Sequence, residues 1–227
     1  MISHQHKCIF VHLRRTAGNS IELALGGIVL LDKNRRQVLE WDNNLHRSSL
    51  DYKINARGPA IHSTAKEIRE QHASEFKSYF KFSIVRNPWD QMLSLYLRSH
   101  WSRYRSFSTI IRPSKRGFRR WLEKFHTYAG TVPQHSIFDG EECLVNRICR
   151  YESLQTDFDK CCNEMGISRR ILSQTNLTQT VVRDSFYDVE LIEIVADIFR
   201  KDIDRFCYRF IQYYLNYILH NNLIGMY

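Results

Sequence analysis

A short apolar run that breaks into a small-residue loop and then an amphipathic segment constrains this chain more than any other feature. Residues 8–22 read Cys-Ile-Phe-Val-His-Leu-Arg-Arg-Thr-Ala-Gly-Asn-Ser-Ile-Glu. Ile9-Phe10-Val11 has strand character, Thr16-Ala17-Gly18-Asn19-Ser20 forms a tight polar loop, and an amphipathic segment begins at Ile21. Strand, loop and helix in that order form an anion cradle. The loop turns backbone N–H groups inward, and the helix N-terminus adds about half a positive charge. A phosphate or sulfate group is the expected occupant. The loop is not that of a nucleoside triphosphatase, which reads G-x-x-x-x-G-K-[ST]. Asn19 stands where the lysine would be, and Leu13 where the first glycine would be. The basic residues Arg14 and Arg15 precede the turn instead.

Beyond this element, strands and helices alternate, which predicts an α/β fold: a P-loop-like parallel sheet flanked by helices. Strands are expected over 7–12, 80–85 and 144–150, and helices over 18–25, 63–73, 88–100, 117–126, 153–165 and 188–201. Ser63 or Thr64 is the expected N-cap of the second helix, with Glu67 near its third or fourth position. Gly166 should close the helix over 153–165. Residues 27–55 are ambiguous, with Asp32-Lys33-Asn34 suggesting a turn between short strands. The whole chain, 1–227, reads as one domain with an aromatic-rich C-terminal helix at about 206–222. A packed terminal helix is the plainer reading of that stretch, and a homodimer contact the sharper one.

The net charge of +9 predicts attraction to anionic partners without choosing among them. The six cysteines show no zinc spacing and no disulfide framework, so all are expected as reduced thiols. No signal peptide is visible, and no apolar run reaches the ~20 residues that span a bilayer. A cytoplasmic protein is the expectation. No cluster of metal ligands is apparent.

A second anion site is expected where Val85-Arg86-Asn87-Pro88 ends a strand and begins a helix. Open α/β sheets bind ligands at that edge. A guanidinium there can grip a phosphate with two parallel hydrogen bonds. Asn87 and Ser94 are two helical turns apart and share a face. Trp89 and Trp101 offer flat surfaces for a base. The structural alternative is an Arg86–Asp90 pair.

Between Asp90 and Glu123 lie eight basic residues (Arg98, Arg103, Arg105, Arg112, Lys115, Arg116, Arg119 and Arg120) and no acidic one. Trp101, Tyr104, Phe107, Phe118 and Trp121 are interleaved with them. This composition suits an anionic glycan, because sugar rings stack on aromatics and anionic groups pair with arginine. A solvated basic helix face explains it equally well. Nucleic acid fits the composition too, but no nucleic-acid-binding motif is present.

Both anion sites resemble the sulfotransferase family that uses 3′-phosphoadenosine 5′-phosphosulfate (PAPS), and most closely its carbohydrate sulfotransferases and their bacterial relatives. The family's first element, close to I-F-x-H-I-P-K-T-A-G-T-S, stands here as Ile9-Phe10-Val11-His12-Leu13-Arg14-Arg15-Thr16-Ala17-Gly18-Asn19-Ser20. Its second, close to V-R-N-P-x-D-R-x-x-S-x-Y, stands as Val85-Arg86-Asn87-Pro88-Trp89-Asp90-Gln91-Met92-Leu93-Ser94-Leu95-Tyr96. Similarity continues through Ile61 to Glu67, Arg150 to Leu154 and on through Asp157-Phe158, and Phe199 to Tyr208. The resemblance implies that Arg14, Arg15 and Thr16 to Ser20 bind the 5′-phosphosulfate of PAPS. It implies that Arg86 and Ser94 bind the 3′-phosphate, with Arg183 a further basic cofactor contact. It also places a histidine at His62, the candidate general base for the acceptor hydroxyl, since imidazole titrates near neutral pH. His12 is expected as a packed structural residue.

Two departures from the family pattern stand out. Arg15 replaces the loop lysine and Arg14 the proline. Arginine keeps the charge but is longer, planar and permanently protonated. The implied activity is sulfuryl transfer from PAPS to a hydroxyl or amine of a glycan-like acceptor, with no metal required. The alternative is a sulfotransferase-like nucleotide-binding module with weak catalysis, and the second alternative is a P-loop kinase.

Overall fold

The computed structural model describes residues 1–31, 37–41, 63–104, 113–125, 133–173 and 183–210. The chain groups into two compact units, Met1–Arg86 with Ala129–Leu177, and Asn87–Tyr128 with Thr178–Tyr227.

The first unit is built on a four-stranded sheet. Strands β1 (Ile2–Ser3), β2 (Cys8–Val11), β5 (Phe80–Val85) and β8 (Arg147–Arg150) lie in the order β1-β2-β5-β8. β2, β5 and β8 are parallel, as the strand–helix alternation predicts; β1 adds an antiparallel edge that the sequence did not announce. The parallel strands are apolar because they lie under helices on their faces. Helix α1 (Gly18–Ala24) supplies Ile21, and Leu25 follows at its end. Helix α6 (Leu154–Glu164) supplies Phe158, Cys161 and Cys162. These side chains close over Phe10, Phe82, Ile84 and Cys149 to form the core. β3 (Gly27–Leu31) follows α1 and pairs antiparallel with β4 (Gln37–Trp41), two short strands within the ambiguous stretch; its remainder, with the turn expected at Asp32-Lys33-Asn34, lies outside the described residues. A small hairpin pairs β6 (Phe138–Asp139) with β7 (Glu142–Cys143).

Local signals set most helix ends. Helix α2 (Ala65–Gln71) starts at Thr64, whose hydroxyl accepts from the Glu67 N–H while the Glu67 carboxylate accepts from the Thr64 N–H, a reciprocal capping box. It stops sooner than the sequence pattern suggests: His72 leaves helical geometry and α3 (Ala73–Ser78) begins anew. Helix α6 ends where Gly166 takes a φ of 68°. The Ile167 N–H then reaches back to the Cys162 carbonyl at 3.0 Å.

The second unit is helical. Helix α4 (Pro88–Tyr104) starts at a proline, whose missing N–H costs nothing in the first turn. It buries Trp89, Met92, Leu93, Tyr96 and Leu97. Helix α5 (Lys115–Phe125) buries Phe118 and Leu122 one turn apart, and Phe118 packs against Tyr96, Phe186 and Tyr187. The single helix expected over 188–201 is two: α7 (Val189–Ile198), capped by Asp188, and α8 (Arg200–Phe206), separated at Phe199. The helix read from Phe206 onward does not start there. Cys207 is left-handed at φ 54°, and the Tyr208 N–H turns back to the Ile203 carbonyl, which terminates α8. Residues 211–227 lie outside the described residues.

Candidate functional site

The candidate anion loop connects β2 to α1, and its backbone is held in a conformation that non-glycine residues rarely adopt. Arg15 and Ala17 both sit at positive φ, 61° and 65°. Each such residue costs about 1–2 kcal/mol and persists only when its surroundings over-determine it. Four restraints do so here. The Thr16 hydroxyl, fully buried, donates to the Leu13 carbonyl at 2.8 Å and closes the turn. The Ala17 carbonyl accepts from the N–H groups of Ser20 and Ile21, which starts the helix. Arg86 Nη1 donates to the Arg15 carbonyl at 2.9 Å. The imidazole of His12 lies against the backbone at Gly18.

That last contact explains the glycine. A Cβ built at Gly18 would fall 1.9 Å from His12 Nε2. His12 cannot easily yield. It is buried at the end of β2, stacked on Phe10, and donates Nδ1–H to the equally buried Glu22 carboxylate at 3.0 Å. Glu22, one turn into α1, thereby ties strand end, loop and helix into one body. His12 is a packed structural residue, as its position at the strand end suggests. Glu22 was not singled out by sequence, although it lies one helical turn beyond the loop glycine.

Arg86 follows the last residue of β5, where the strand ladder ends. Its guanidinium carbon sits 3.9 Å from the ring centroid of Tyr151. Its N–H donates to Gln134 Oε1 at 2.5 Å, and its carbonyl accepts from Gln134 Nε2 at 2.8 Å. Within the first unit the fold therefore brings Arg14, Arg15, Thr16, Ala17, Gly18, Asn19 and Ser20 together with Arg86. Arg14 is half-buried, and burial lowers its pKa from the ordinary arginine value. Asn19 is exposed and Ser20 buried. Gln134 and Tyr151 are the site residues that motif reading missed. The signal for Tyr151 was its place directly after the third parallel strand; for Gln134 there was none.

The remaining predicted residues belong to the second unit or lie outside the described residues. Ser94 is buried on α4. Asn87 is buried and caps that helix: its Oδ1 accepts from the Trp89 N–H and its Nδ2 donates to the Arg209 carbonyl. Trp89 does not offer an open face for a base. It is 4% exposed, its indole N–H bonds the Ile192 carbonyl, and its ring packs edge-on to Phe210. Asp90 pairs with Arg183 at 3.5 Å, and Arg183 also lies over the Phe210 ring and donates to its carbonyl. His62 and the side chain of Trp101 are outside the described residues.

The basic segment divides on folding. Arg119 and Lys115 both bond Asp188 at 3.0 Å, and Arg119 reaches Glu190 as well. The pull of the Leu191 N–H and then of Lys115 holds the Asp188 carboxyl below the usual aspartate value. Phe118 is consumed by the core. Arg116 and Arg120 stay exposed, one turn apart on α5. Among the described residues no group of three or more His, Cys, Asp or Glu is arranged to hold a metal ion, and no helix is long and apolar enough to cross a membrane.

A family model described as the sulfotransferase family matches residues 1–209, nearly the whole chain. The chain belongs to the sulfotransferase family. Among solved structures, the chain is similar to the crystal structure of sulfotransferase from Alicyclobacillus acidocaldarius, with 15% identity and a TM-score of 0.35. That similarity covers 62% of this chain and 56% of the other, so the chain spans just over half of that sulfotransferase's length. A comparison with curated proteins finds no match.

Proposed function

We propose that this sulfotransferase-family chain moves a sulfuryl group from PAPS to a hydroxyl or amine of an anionic glycan-like acceptor. The observation that carries the reading is the docking of Arg86 on the Arg15 carbonyl. Two basic residues from distant motifs meet at a restrained anion loop, as recognition of a nucleotide phosphorylated at both 5′ and 3′ positions requires. The residues suit such a group. Arg86 Nε is buried and has no hydrogen-bond partner among the described residues, and a phosphate oxygen would supply one.

In this reading the acceptor oxygen attacks sulfur in line, the S–O bond to the 5′-phosphate breaks, and 3′,5′-adenosine bisphosphate departs with that electron pair. Catalysis is then mostly positioning and charge stabilisation. Arg15 and the amides of Thr16, Ala17, Gly18, Asn19 and Ser20 hold the 5′ end, with Arg14 beside them and the Ser20 hydroxyl assisting. On the strength of the sequence motif, Arg86 and Ser94 take the 3′-phosphate. His62 accepts the acceptor's proton. Arg183, engaged with Asp90 and Phe210, is assigned to the cofactor by sequence position alone. Exposed Arg116 and Arg120 are the basic side chains of α5 left to meet an anionic acceptor.

Calorimetry with 3′,5′-adenosine bisphosphate and, separately, ATP–Mg tests the donor. Preference for ATP would refute the sulfotransferase reading in favour of a kinase. Labelled PAPS with a panel of glycans then tests transfer. Replacement of the family lysine by Arg15 favours one other reading, a nucleotide-binding module. Bisphosphate binding without label transfer to any acceptor, with Arg15→Lys restoring transfer, would favour the module. His62→Ala should lower turnover far more than cofactor affinity; equal losses would remove it as the base.

A further inference from the structure

We propose that Gln134 and Tyr151 are positioning residues for Arg86, locking its guanidinium in place before any anion binds. The inference rests on the reading of Arg86 as a 3′-phosphate ligand and goes beyond it by naming what makes that ligand rigid.

Strand register explains the first half. β5 and β8 are parallel, with Val85 paired to Arg150. One step further, Arg86 and Tyr151 are neighbours past the end of the ladder, and the guanidinium lies 3.9 Å from the Tyr151 ring centroid. That is close enough for a strong cation–π contact in a half-buried place. Gln134 explains the second half. Beyond the strand end the backbone of Arg86 has no sheet neighbour to satisfy it. The side-chain amide of Gln134 takes that place, accepting from the Arg86 N–H and donating to the Arg86 carbonyl. Gln134 is fully buried in a one-turn 3-10 helix, Gln134–Ile137, so the clamp is itself fixed.

Backbone and guanidinium face are thus both held. The hydrogen bond from Nη1 to the Arg15 carbonyl fixes the remaining rotation. An arginine left loose would lose several rotamers of freedom on binding, which weakens the complex; one held on three sides has already lost them. Nε, buried without a partner among the described residues, is left as a donor for the anion.

The test compares 3′,5′-adenosine bisphosphate with adenosine 5′-monophosphate, which lacks the 3′-phosphate. Wild-type protein should bind the bisphosphate at least tenfold more tightly. Tyr151→Leu should lower bisphosphate affinity by roughly tenfold, the range of a desolvated cation–π contact, and change monophosphate affinity less than threefold. Tyr151→Phe keeps the ring and should bind as wild type. Gln134→Glu adds a pH readout that a merely structural residue would not show. A protonated carboxylic acid offers one donor and one acceptor, as the amide does; an ionised one offers only acceptors. Relative to wild type at the same pH, the variant should be roughly tenfold weaker at pH 8 and recover at pH 5.5. This arm decides the matter even where Tyr151→Leu does not fold. Equal losses for both nucleotides, no loss for either, or a flat pH ratio for Gln134→Glu would each overturn the proposal. No bisphosphate preference in wild-type protein would instead overturn the assignment of Arg86 to the 3′-phosphate, and this inference with it.

Discussion

Substituting Gly18 by alanine should damage the anion loop through a single collision. The added methyl lies 1.9 Å from His12 Nε2, 2.2 Å from Cδ2 and 2.4 Å from Cε1, all well inside contact distance. Either the loop backbone or the imidazole must move by more than an ångström. The imidazole is stacked on Phe10 and bonded to Glu22 in a site closed to water, so moving it forfeits that buried hydrogen bond. Overpacking of a tight core costs about 1–3 kcal/mol. Losing a hydrogen bond to a charged group adds about 1.5–3 kcal/mol. The expected destabilisation is roughly 3–5 kcal/mol, or a fall in melting temperature of about 6–20 °C for a chain of this size. Thermal denaturation followed by circular dichroism reads the first effect, and calorimetry with 3′,5′-adenosine bisphosphate reads the loss of affinity. Adding His12→Ala removes the other party to the collision. The double variant should therefore lose much less than the two single variants combined, a coupling expected for side chains in contact. A melting temperature within 1 °C of wild type for Gly18→Ala, or strict additivity in the cycle, would refute this account of the loop.

Three other outcomes are expected. Arg15→Lys keeps the positive charge and the carbonyl that Arg86 holds, so bisphosphate affinity should stay within about threefold; in a labelled-PAPS assay it should raise turnover, since a compact ammonium restores the family's cation, and unchanged or lower turnover would show that arginine serves as well. Thiol labelling of native protein at pH 8 should modify Cys143 and Cys207 alone, since both are exposed while Cys8, Cys149, Cys161 and Cys162 are buried, burial pushing the Cys8 thiol up to about 12; mass spectrometry showing early labelling of the buried four would contradict the core. Asp188→Asn keeps the helix cap but removes a carboxylate whose pKa is depressed in the folded state. The charge's contribution is therefore full above the unfolded value near 4 and lost as pH falls through the lower folded value. Denaturation midpoints of variant and wild type should differ at pH 6 and converge near pH 2.

The strand–loop–helix element over residues 8–24 was legible because its signal is local. Strand character, a run of small residues and a helix start are all written in consecutive positions, and so are the capping box at Thr64 and the glycine stop at Gly166. The breaks at His72 and Phe199 were not, because apolar periodicity continues across them while the backbone does not. The aromatic Trp89 read as a platform for a base, yet tertiary packing takes both its face and its N–H. The basic segment read as one surface, yet Asp188 and Glu190, some 70 residues further on, neutralise part of it.

By itself, then, the order of residues determined an α/β sheet with a small-residue loop after its first parallel strand and an arginine at the end of the next. Both follow from short-range rules of backbone conformation and burial. Only the tertiary structure decided how the loop is held. His12, Glu22, Arg86, Gln134 and Tyr151 come from four separate stretches of chain; parallel strand register sets Arg86 beside the loop and beside Tyr151, and side-chain hydrogen bonds bring in Glu22 and Gln134. A strained left-handed arginine can be recognised as stable only when the groups that hold it are known, and those groups are distant in sequence.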